Sequence, residues 1–378
     1  MDADRLVLMT ADTIGGVWQY ALQLSASLTR HHRLRVALAT MGAPLTPAQR
    51  REAALLPGVT LHESNFALEW MEQPWDEVAK AGDWLLALED RLRPDIVQLN
   101  QFAFGALPFK APTLLVAHSC VLSWWRAVHG TKPPAQWDRY REVVRAGLAG
   151  ADLVAAPTRD MLLSLTRNYG RRLAGLVLPN GRDPEYFPPG RKQRLIIGAG
   201  RLWDEAKNLQ ALEAVAPDVS WPIEVAGPVR APDGSIRGSV GLRLLGELPA
   251  SALAERFARA SICVHPACYE PFGLAPLEAA LAGCALVLGD LPSLRETWQK
   301  SALYVAPHDH RALRAALRRL IADPCLLREM SAQAREVALL HSGARMARAY
   351  SGAYLQAAEL AAACVWSHSS AEEKQCAS

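Results

Sequence analysis

The sequence predicts an α/β protein of two doubly wound, parallel-sheet domains, on three observations. Short apolar runs followed by helical periodicity recur along the whole chain, the pattern of strands alternating with helices in a parallel sheet. One cluster of Pro and Gly, from Leu178 to Gly190, interrupts that rhythm near the middle. The length of 378 residues suits two domains on the usual scale of about 100–200 residues each.

In the first half the apolar runs are Leu6 to Met9, Leu34 to Ala39, Asp95 to Leu99, Thr113 to Ala117 and Asp152 to Ala156. The break Leu178-Pro179-Asn180-Gly181-Arg182-Asp183-Pro184 is the expected domain boundary, because Pro and Gly end regular structure. The rhythm then restarts with Leu195 to Gly198, Ile223 to Gly227, Leu242 to Leu245, Ser261 to His265 and Ala285 to Leu288. We therefore place a first domain at 1–185 and a second at 186–339. Met330 to about Leu360 reads as helix, while 361–378 mixes small and polar residues without a period and is expected to be a disordered tail. Open sheets of this kind bind ligands outside the carboxyl ends of their strands, so two facing domains would share one cleft.

Composition narrows the partners. With 50% hydrophobic and 21% charged residues the chain can bury real cores without disulfide or metal support. Lys and Arg number 41 against 38 Asp and Glu, which leaves no basic footprint for nucleic acid. The seven cysteines are odd in number and scattered, several within apolar runs; they read as reduced thiols of a cytoplasmic protein, and their spacing gives no metal site. Met1 to Arg5 leads directly into Leu6 to Met9 without a basic leader, and no apolar run approaches the ~20 residues that span a bilayer.

Three loops carry chemistry. Thr10 to Val17, after the first strand, contains Gly15-Gly16 just before a helical stretch. Adjacent glycines let backbone amides approach an anion at a helix N-terminus; the alternative is an ordinary tight turn. Gly198-Ala199-Gly200-Arg201-Leu202-Trp203 opens like a dinucleotide fingerprint, but Trp203 stands where a third small residue is required, which disfavours a nicotinamide enzyme. Instead Arg201 and Lys207 lie close to a helix start, where positive charge opposes the macrodipole. That conflict fits cations aimed at a diphosphate leaving group as well as it fits solvated side chains.

The third loop, His265 to Glu278, is the most specific. Glu270 ends a strand region before Pro271-Phe272-Gly273, and Pro276 suits the first turn of a helix that would also hold Glu278. A Glu near a helix start complements the dipole, whereas Glu270 has little local reason to be there. Ser293 and Glu296 have the spacing of a capping box.

Taken together, Gly15-Gly16, Leu178-Pro179-Asn180-Gly181 with Phe187, Gly200-Arg201-Leu202 with Lys207-Asn208, and Glu270 with Glu278 resemble, in order and spacing over nearly the whole chain, the GT-B fold glycosyltransferases of family 4, a retaining group. The resemblance implies two Rossmann-like domains facing across a cleft, with a C-terminal helix at about 340–360 packing back on the first. It implies that Arg201 and Lys207 bind the donor diphosphate beside Gly15 and Gly16, and that Glu278 bonds the ribose. Glu270 and the amides of Phe272, Gly273 and Leu274 would hold the transferred sugar, with His118 facing it from the first domain. The implied reaction is metal-independent and needs no cofactor: a hexosyl group passes with retention from a nucleotide diphosphate sugar, UDP being the commonest base in the family, to an acceptor hydroxyl. The one Asp-x-Asp triplet of the sequence, Asp2-Ala3-Asp4, precedes the first apolar run and lies in none of the three loops.

Acceptor clues lie in the first domain. Asn100, with Gln101, follows a strand, and Trp124-Trp125 follow His118; paired tryptophans either stack on a sugar ring or anchor the loop. A glycan or lipid-linked glycan is the expected acceptor, in cell-surface polysaccharide or glycoconjugate synthesis. The arginines of Arg139 to Arg172, among them Arg141, Arg145, Arg159, Arg167, Arg171 and Arg172, would permit peripheral membrane contact if they are not simply a solvated helix face. A nucleotide-sugar epimerase or phosphorylase of the same fold, or a non-catalytic sugar-nucleotide-binding protein, are the alternative readings.

Overall fold

A computed structural model describes residues 5–170, 173–231 and 234–376, with side chains through 363. Its first parallel sheet is built from Leu6–Asp12 (β1), Arg35–Met41 (β2), Val59–Glu63 (β3), Ile96–Leu99 (β4), Thr113–Val116 (β5), Leu153–Ala156 (β6) and Leu176–Val177 (β7). The strand order is β3-β2-β1-β4-β5-β6-β7. A second sheet follows from Gln193–Ala199 (β8), Ile223–Ala226 (β9), Arg243–Gly246 (β10), Ala260–His265 (β11), Ala285–Gly289 (β12) and Leu303–Val305 (β13), in the order β10-β9-β8-β11-β12-β13. Every strand pairing is parallel. The two sheets are separated by the Pro- and Gly-rich break.

Strand order reverses between β1 and β4 in the first sheet and between β8 and β11 in the second. At such switch points the crossover connections leave on opposite faces, and a crevice opens at the carboxyl ends of the two strands. The chain places its unusual loops there: 13–15 after β1, 100–101 after β4, 200–208 after β8 and 266–273 after β11. Topology thus sets the glycine loop beside 100–101 in the first sheet and the two cations beside the glutamate loop in the second, and the facing of the two domains brings these pairs together.

The helices of the first half are Gly16–His32 (α1), Pro47–Ala54 (α2), Trp75–Leu92 (α3), Val121–His129 (α4), Asp138–Gly150 (α5) and Arg159–Tyr169 (α6). Those of the second are Leu209–Val215 (α7), Ala250–Arg259 (α8), Leu274–Leu281 (α9), Pro292–Trp298 (α10), His310–Ala322 (α11), Pro324–Leu339 (α12) and Gly343–Cys376 (α13). Each sheet is sandwiched by two apolar layers, and its central strands are buried on both faces, as strands in parallel sheets are.

Helix α13 supplies Met346, Ala347, Tyr350, Ala353, Tyr354 and Ala357 to the layer beneath α1 and β1, so the last helix completes the core of the first sheet. Its start is fixed by Asp183, whose carboxylate accepts from the Gly343 amide and from Gln23 Nε2. Both crossings between the domains meet at this point, since the Arg182 amide bonds the carbonyl of His341.

The structure corrects several expectations. Residues 361–376 continue α13 rather than forming a disordered tail; Ala361, Ala362, Ala363 and Ala371 favour helix without any amphipathic period. Residues 377–378 lie outside the described residues. Strands β3, β7 and β13 were not expected, being short and at or next to sheet edges. Of the arginines after Arg139, Arg141 pairs with Asp138 and Arg167 with Asp160, whereas Arg171 and Arg172 lie outside the described residues. Among the described residues no helix is long and apolar enough to cross a membrane.

Candidate active site between the two domains

Gly15 is the N-cap of α1, with φ +87°, a left-handed conformation that glycine adopts without strain. A Cβ placed there would lie 3.1 Å from Nη1 of Arg201 in the second domain, so any side chain would push that guanidinium aside by a few tenths of an ångström. The glycine loop and the cation therefore face each other across the cleft at contact distance. Arg201 is held by Asp204, with Nη2 2.8 Å from Oδ2, and its guanidinium lies over the Trp203 ring at 5.3 Å. Trp203, which breaks the dinucleotide fingerprint, thus serves as a platform for the cation.

Asp204 is a hub that the sequence reading did not single out. It accepts from the Ala206 amide (3.0 Å) and from the indole N–H of Trp124 in the first domain (2.9 Å). Burial alone would raise its pKa, but Arg201 and Lys207 outweigh burial and hold it below the ordinary value. Trp124 therefore bridges the domains. Trp125 instead donates to Thr131 and packs on His129.

The second cation, Lys207, reaches Glu270, with Nζ 2.8 Å from Oε2; Nε2 of His265 lies 3.0 Å from the same oxygen. Glu270 sits in the loop after β11, five residues beyond its end, not at the strand terminus as expected. Burial works against its charge, yet Lys207 and His265 together overcome that and hold the carboxyl far below its usual range. Ser293 Oγ donates to the Glu270 carbonyl at 2.5 Å and fixes the loop. Gly273, at φ +93°, is the N-cap of α9, so the amides of Phe272, Gly273 and Leu274 lie at a helix N-terminus beside this carboxylate.

Glu278 stands in the second turn of α9, because that helix begins at Leu274 rather than near Pro276. Its Oε1 lies 2.8 Å from Nε of Arg182, with both side chains only 9% exposed. Burial raises the Glu278 pKa and Arg182 pulls it back down. Arg182 was visible only as one charge within the Pro-Gly break; nothing local announces its partner 96 residues on.

From the first domain, His118 follows β5. Its Nε2 lies 2.9 Å from Asn100 Oδ1, and its ring meets the edge of Tyr20 at 4.3 Å. Loss of hydration lowers its pKa to about 3, so the imidazole is neutral at physiological pH. Asn100 is itself anchored, its Nδ2 donating to the carbonyl of Thr10 at 2.5 Å, so its amide supports His118 from below. Under both, Tyr354 of α13 donates to Gln98, which donates to Tyr20, and the last helix thereby braces the active-site strand ends.

The cleft is closed along one side by contacts between domains. Tyr269 Oη accepts from the Cys120 amide (3.0 Å), and Thr158 Oγ1 donates to the carbonyl of Pro271 (3.0 Å). Glu296 does not form the expected capping box. Ser293 is occupied by Glu270, and the Glu296 carboxylate instead accepts the amides of Arg159 and Asp160 at the start of α6, a helix-dipole contact between domains. A space of about 320 Å³ remains between α4, α6 and the glutamate loop, lined by Ser123, Arg126, Met161, Tyr269, Glu270 and Ser293 among others. Among the described residues no group of three or more potential metal ligands occurs.

Two doubly wound parallel-sheet domains, with a glycine loop of one facing two cations of the other across a cleft, have the GT-B architecture. Comparison with known proteins agrees: the model "Glycosyltransferase Family 4" matches residues 14–186 and "Glycosyl transferases group 1" matches 190–337. Glycogen synthase of Mycobacterium tuberculosis is 26% identical over 371 residues, covering 84% of this chain and 88% of that protein. D-inositol 3-phosphate glycosyltransferase of Geodermatophilus obscurus is 30% identical over 253 residues, 57% of this chain and 55% of the relative. Among solved structures, sucrose-phosphate synthase from Thermosynechococcus elongatus superposes with a TM-score of 0.77 at 18% identity, covering 93% and 98% of the two chains. Anabaena HepE in complex with UDP-glucose gives 0.72 at 14% identity, covering 92% and 98%. The chain belongs to the GT-B glycosyltransferases of family 4 type.

Proposed function

We propose that this glycosyltransferase is a retaining, metal-independent hexosyltransferase that uses a UDP-hexose and a glycan or lipid-linked glycan acceptor at the cytoplasmic side of cell-surface polysaccharide or glycoconjugate synthesis. The observation that carries the reading is the opposition of Gly15 and Arg201 across the cleft, with Lys207 and Glu270 beside them. A diphosphate that displaces the flexible Arg201 side chain from its contact with Gly15 would receive an arginine fork and a helix N-terminus together. A hexosyl group would then lie between the amides of residues 272–274 with Glu270 on one side and neutral His118 on the other. A fold neighbour crystallised with UDP-glucose supports the choice of base.

In the proposed reaction the acceptor oxygen attacks the anomeric carbon from the face of the leaving group. The bond from that carbon to the diphosphate breaks, and the acceptor proton passes to a leaving phosphate oxygen. Arg201 and Lys207 neutralise the charge that grows on the diphosphate, in place of a metal ion, while the cleft holds donor and acceptor together. Glu270, pinned by Lys207 and His265, acts as an acceptor for sugar hydroxyls rather than as a nucleophile. The test is proton NMR of the product formed from UDP-glucose in the presence of EDTA. An α-configured product supports the reading; a β-configured product, or turnover only with added divalent metal, rejects it.

A further inference from the structure

Between the domains, next to the donor site, lies the space of about 320 Å³ bounded by α4, α6 and the glutamate loop. Its walls include none of Gly15, His118, Arg201, Lys207 or 272–274, and share only Glu270 with the donor site. The volume falls at the lower end of the about 300–1,000 Å³ of small-ligand sites, a size for one ring with its substituents.

Each domain gives two walls. Ser123, Arg126 and Ala127 stand at i, i+3 and i+4 on α4, and Asp160, Ser164 and Arg167 at i, i+4 and i+7 on α6, so each helix turns one face to the cavity. The two helices are pinned by the Ser123–Ser164 hydroxyl pair, and Asn168 Nδ2 donates to Ser123 Oγ at 2.7 Å. Opposite them run 268–271 and 291–293 of the second domain. Bonds between the domains frame the space: Cys120 with Tyr269, Thr158 with Pro271, and the Glu296 carboxylate with the first amides of α6. Parting the domains would part the walls, so the cavity belongs to the closed cleft.

Charge and polarity define the occupant. Arg167 is paired with Asp160 at 3.5 Å, and the Glu270 carboxylate with Lys207 and His265. Arg126 makes no ion pair among the described residues, which leaves the cavity one uncompensated positive charge. Both arginines are exposed, so the charged end meets solvent. Met161, Tyr269, Pro271 and Leu291 supply apolar surface against which the C–H face of a ring can pack. The serine pair keeps an O–H and lone pairs beyond those spent on each other and on Asn168, which suits ring hydroxyls.

We propose that this cavity is a second, regulatory site for a small hydroxylated ring bearing one anionic group, a sugar acid or a sugar monophosphate, and that its occupation raises affinity for the nucleotide sugar. A ligand that touches walls from both domains binds the closed arrangement in preference to the open one, and must shift the equilibrium toward it. Two contacts carry that shift to the donor site. Glu270 lines the cavity, and Trp124, two residues from Arg126 on α4, donates to Asp204, which holds Arg201. The coupling rests on the nucleotide-sugar site proposed above; the binding of the anionic ring does not.

The test is calorimetry on the full chain, comparing glucuronate and glucose 6-phosphate with glucose and inorganic phosphate. At least one anionic ring should bind with a Kd below about 1 mM, and the tighter of the two tells a carboxylate site from a phosphate site. Glucose and inorganic phosphate, each lacking one recognised part, should bind at least about tenfold more weakly. Arg126→Gln, at an exposed side chain, should melt within about 2 °C of the wild type and keep its affinity for UDP-glucose alone. The same variant should lose at least about tenfold in affinity for the anionic ring, and Arg126→Lys should restore part of it. Saturating anion should tighten UDP-glucose binding about fivefold or more, and UDP-glucose should tighten anion binding by the same factor. No binding of either anionic ring, equal affinity in Arg126→Gln, or glucose or phosphate binding as tightly overturns the inference. So does an anion that competes with UDP-glucose or leaves its affinity unchanged. Failure of UDP-glucose to bind at all would instead overturn the proposed function, while the anion titrations still decide whether the cavity is a site.

Discussion

Replacing Arg182 by Met removes one member of a buried ion pair and leaves the other in place. The guanidinium lies 2.8 Å from Glu278 with both side chains 9% exposed, so water cannot take over the lost interaction without opening the hinge. Breaking such a pair from one side costs about 3–5 kcal/mol, because the remaining charge is buried and uncompensated. Loss of the cation–π contact with Phe187, at 5.2 Å, adds to this, although Met keeps part of the packing. At roughly 2–4 °C per kcal/mol for a domain of this size, the melting temperature should fall by about 6–20 °C at pH 7. The sign of the pH dependence follows from the raised pKa of Glu278. In the variant the folded state binds the proton more tightly than the unfolded chain, so the penalty is largest when the carboxyl must be ionised, and it shrinks as pH falls from 7 toward 5 by up to about 1.4 kcal/mol per pH unit. Thermal unfolding of the wild type, Arg182→Met and Arg182→Met/Glu278→Gln at both pH values measures this directly. The double variant should recover most of the loss at pH 7. A single-variant penalty under about 1 kcal/mol, or one that grows on acidification, would refute the reasoning.

Lys207→Met should lower kcat by about 10²–10³-fold, measured in transfer assays at saturating donor, since it removes a cation from the diphosphate and also unpins Glu270. Gly15→Ala forces a Cβ into a left-handed backbone 3.1 Å from Arg201; strain of about 1–3 kcal/mol and displacement of the guanidinium should weaken nucleotide binding about tenfold or more by calorimetry, with the domain still folded. His118, lowered to about 3 by burial, should show no titration between pH 5 and 8 in histidine NMR. A folded pKa below the unfolded one means that its contribution to stability is complete above pH ~6.5 and is lost as pH falls toward 3, so His118→Gln should flatten the acid limb of the stability profile.

The alternation of strand and helix was legible because central parallel strands are buried on both faces and read as unbroken apolar runs. β3, with the sequence Val-Thr-Leu-His-Glu, and β7 and β13, of two and three residues, lack that signature since they lie at or next to an edge. The candidate cations and Glu270 were legible because each conflicts with its local setting, Arg201 and Lys207 at a helix start and Glu270 between an apolar strand and Pro-Phe-Gly; Glu278, which suits a helix start, stood out only through its spacing from Glu270. What joins them was not. Trp124 with Asp204, Arg182 with Glu278 and Glu296 with Arg159 are pairs between separate elements, two of them 80 and 137 residues apart, and no period or spacing encodes such a contact. Glu296 illustrates the limit, because its spacing from Ser293 satisfies a local rule that the fold overrides by giving each residue a distant partner.

The central claim is a nucleotide diphosphate site between Gly15-Gly16 and the Arg201–Lys207 pair. The most direct test is isothermal calorimetry of UDP, GDP and ADP with EDTA present, on the wild type and on Arg201→Ala. UDP should bind without metal, and Arg201→Ala should weaken it by at least about tenfold, as the loss of charge-assisted hydrogen bonds worth roughly 1.5–3 kcal/mol requires. Failure of all three nucleotides to bind at millimolar concentration, or equal affinity in wild type and variant, would contradict it.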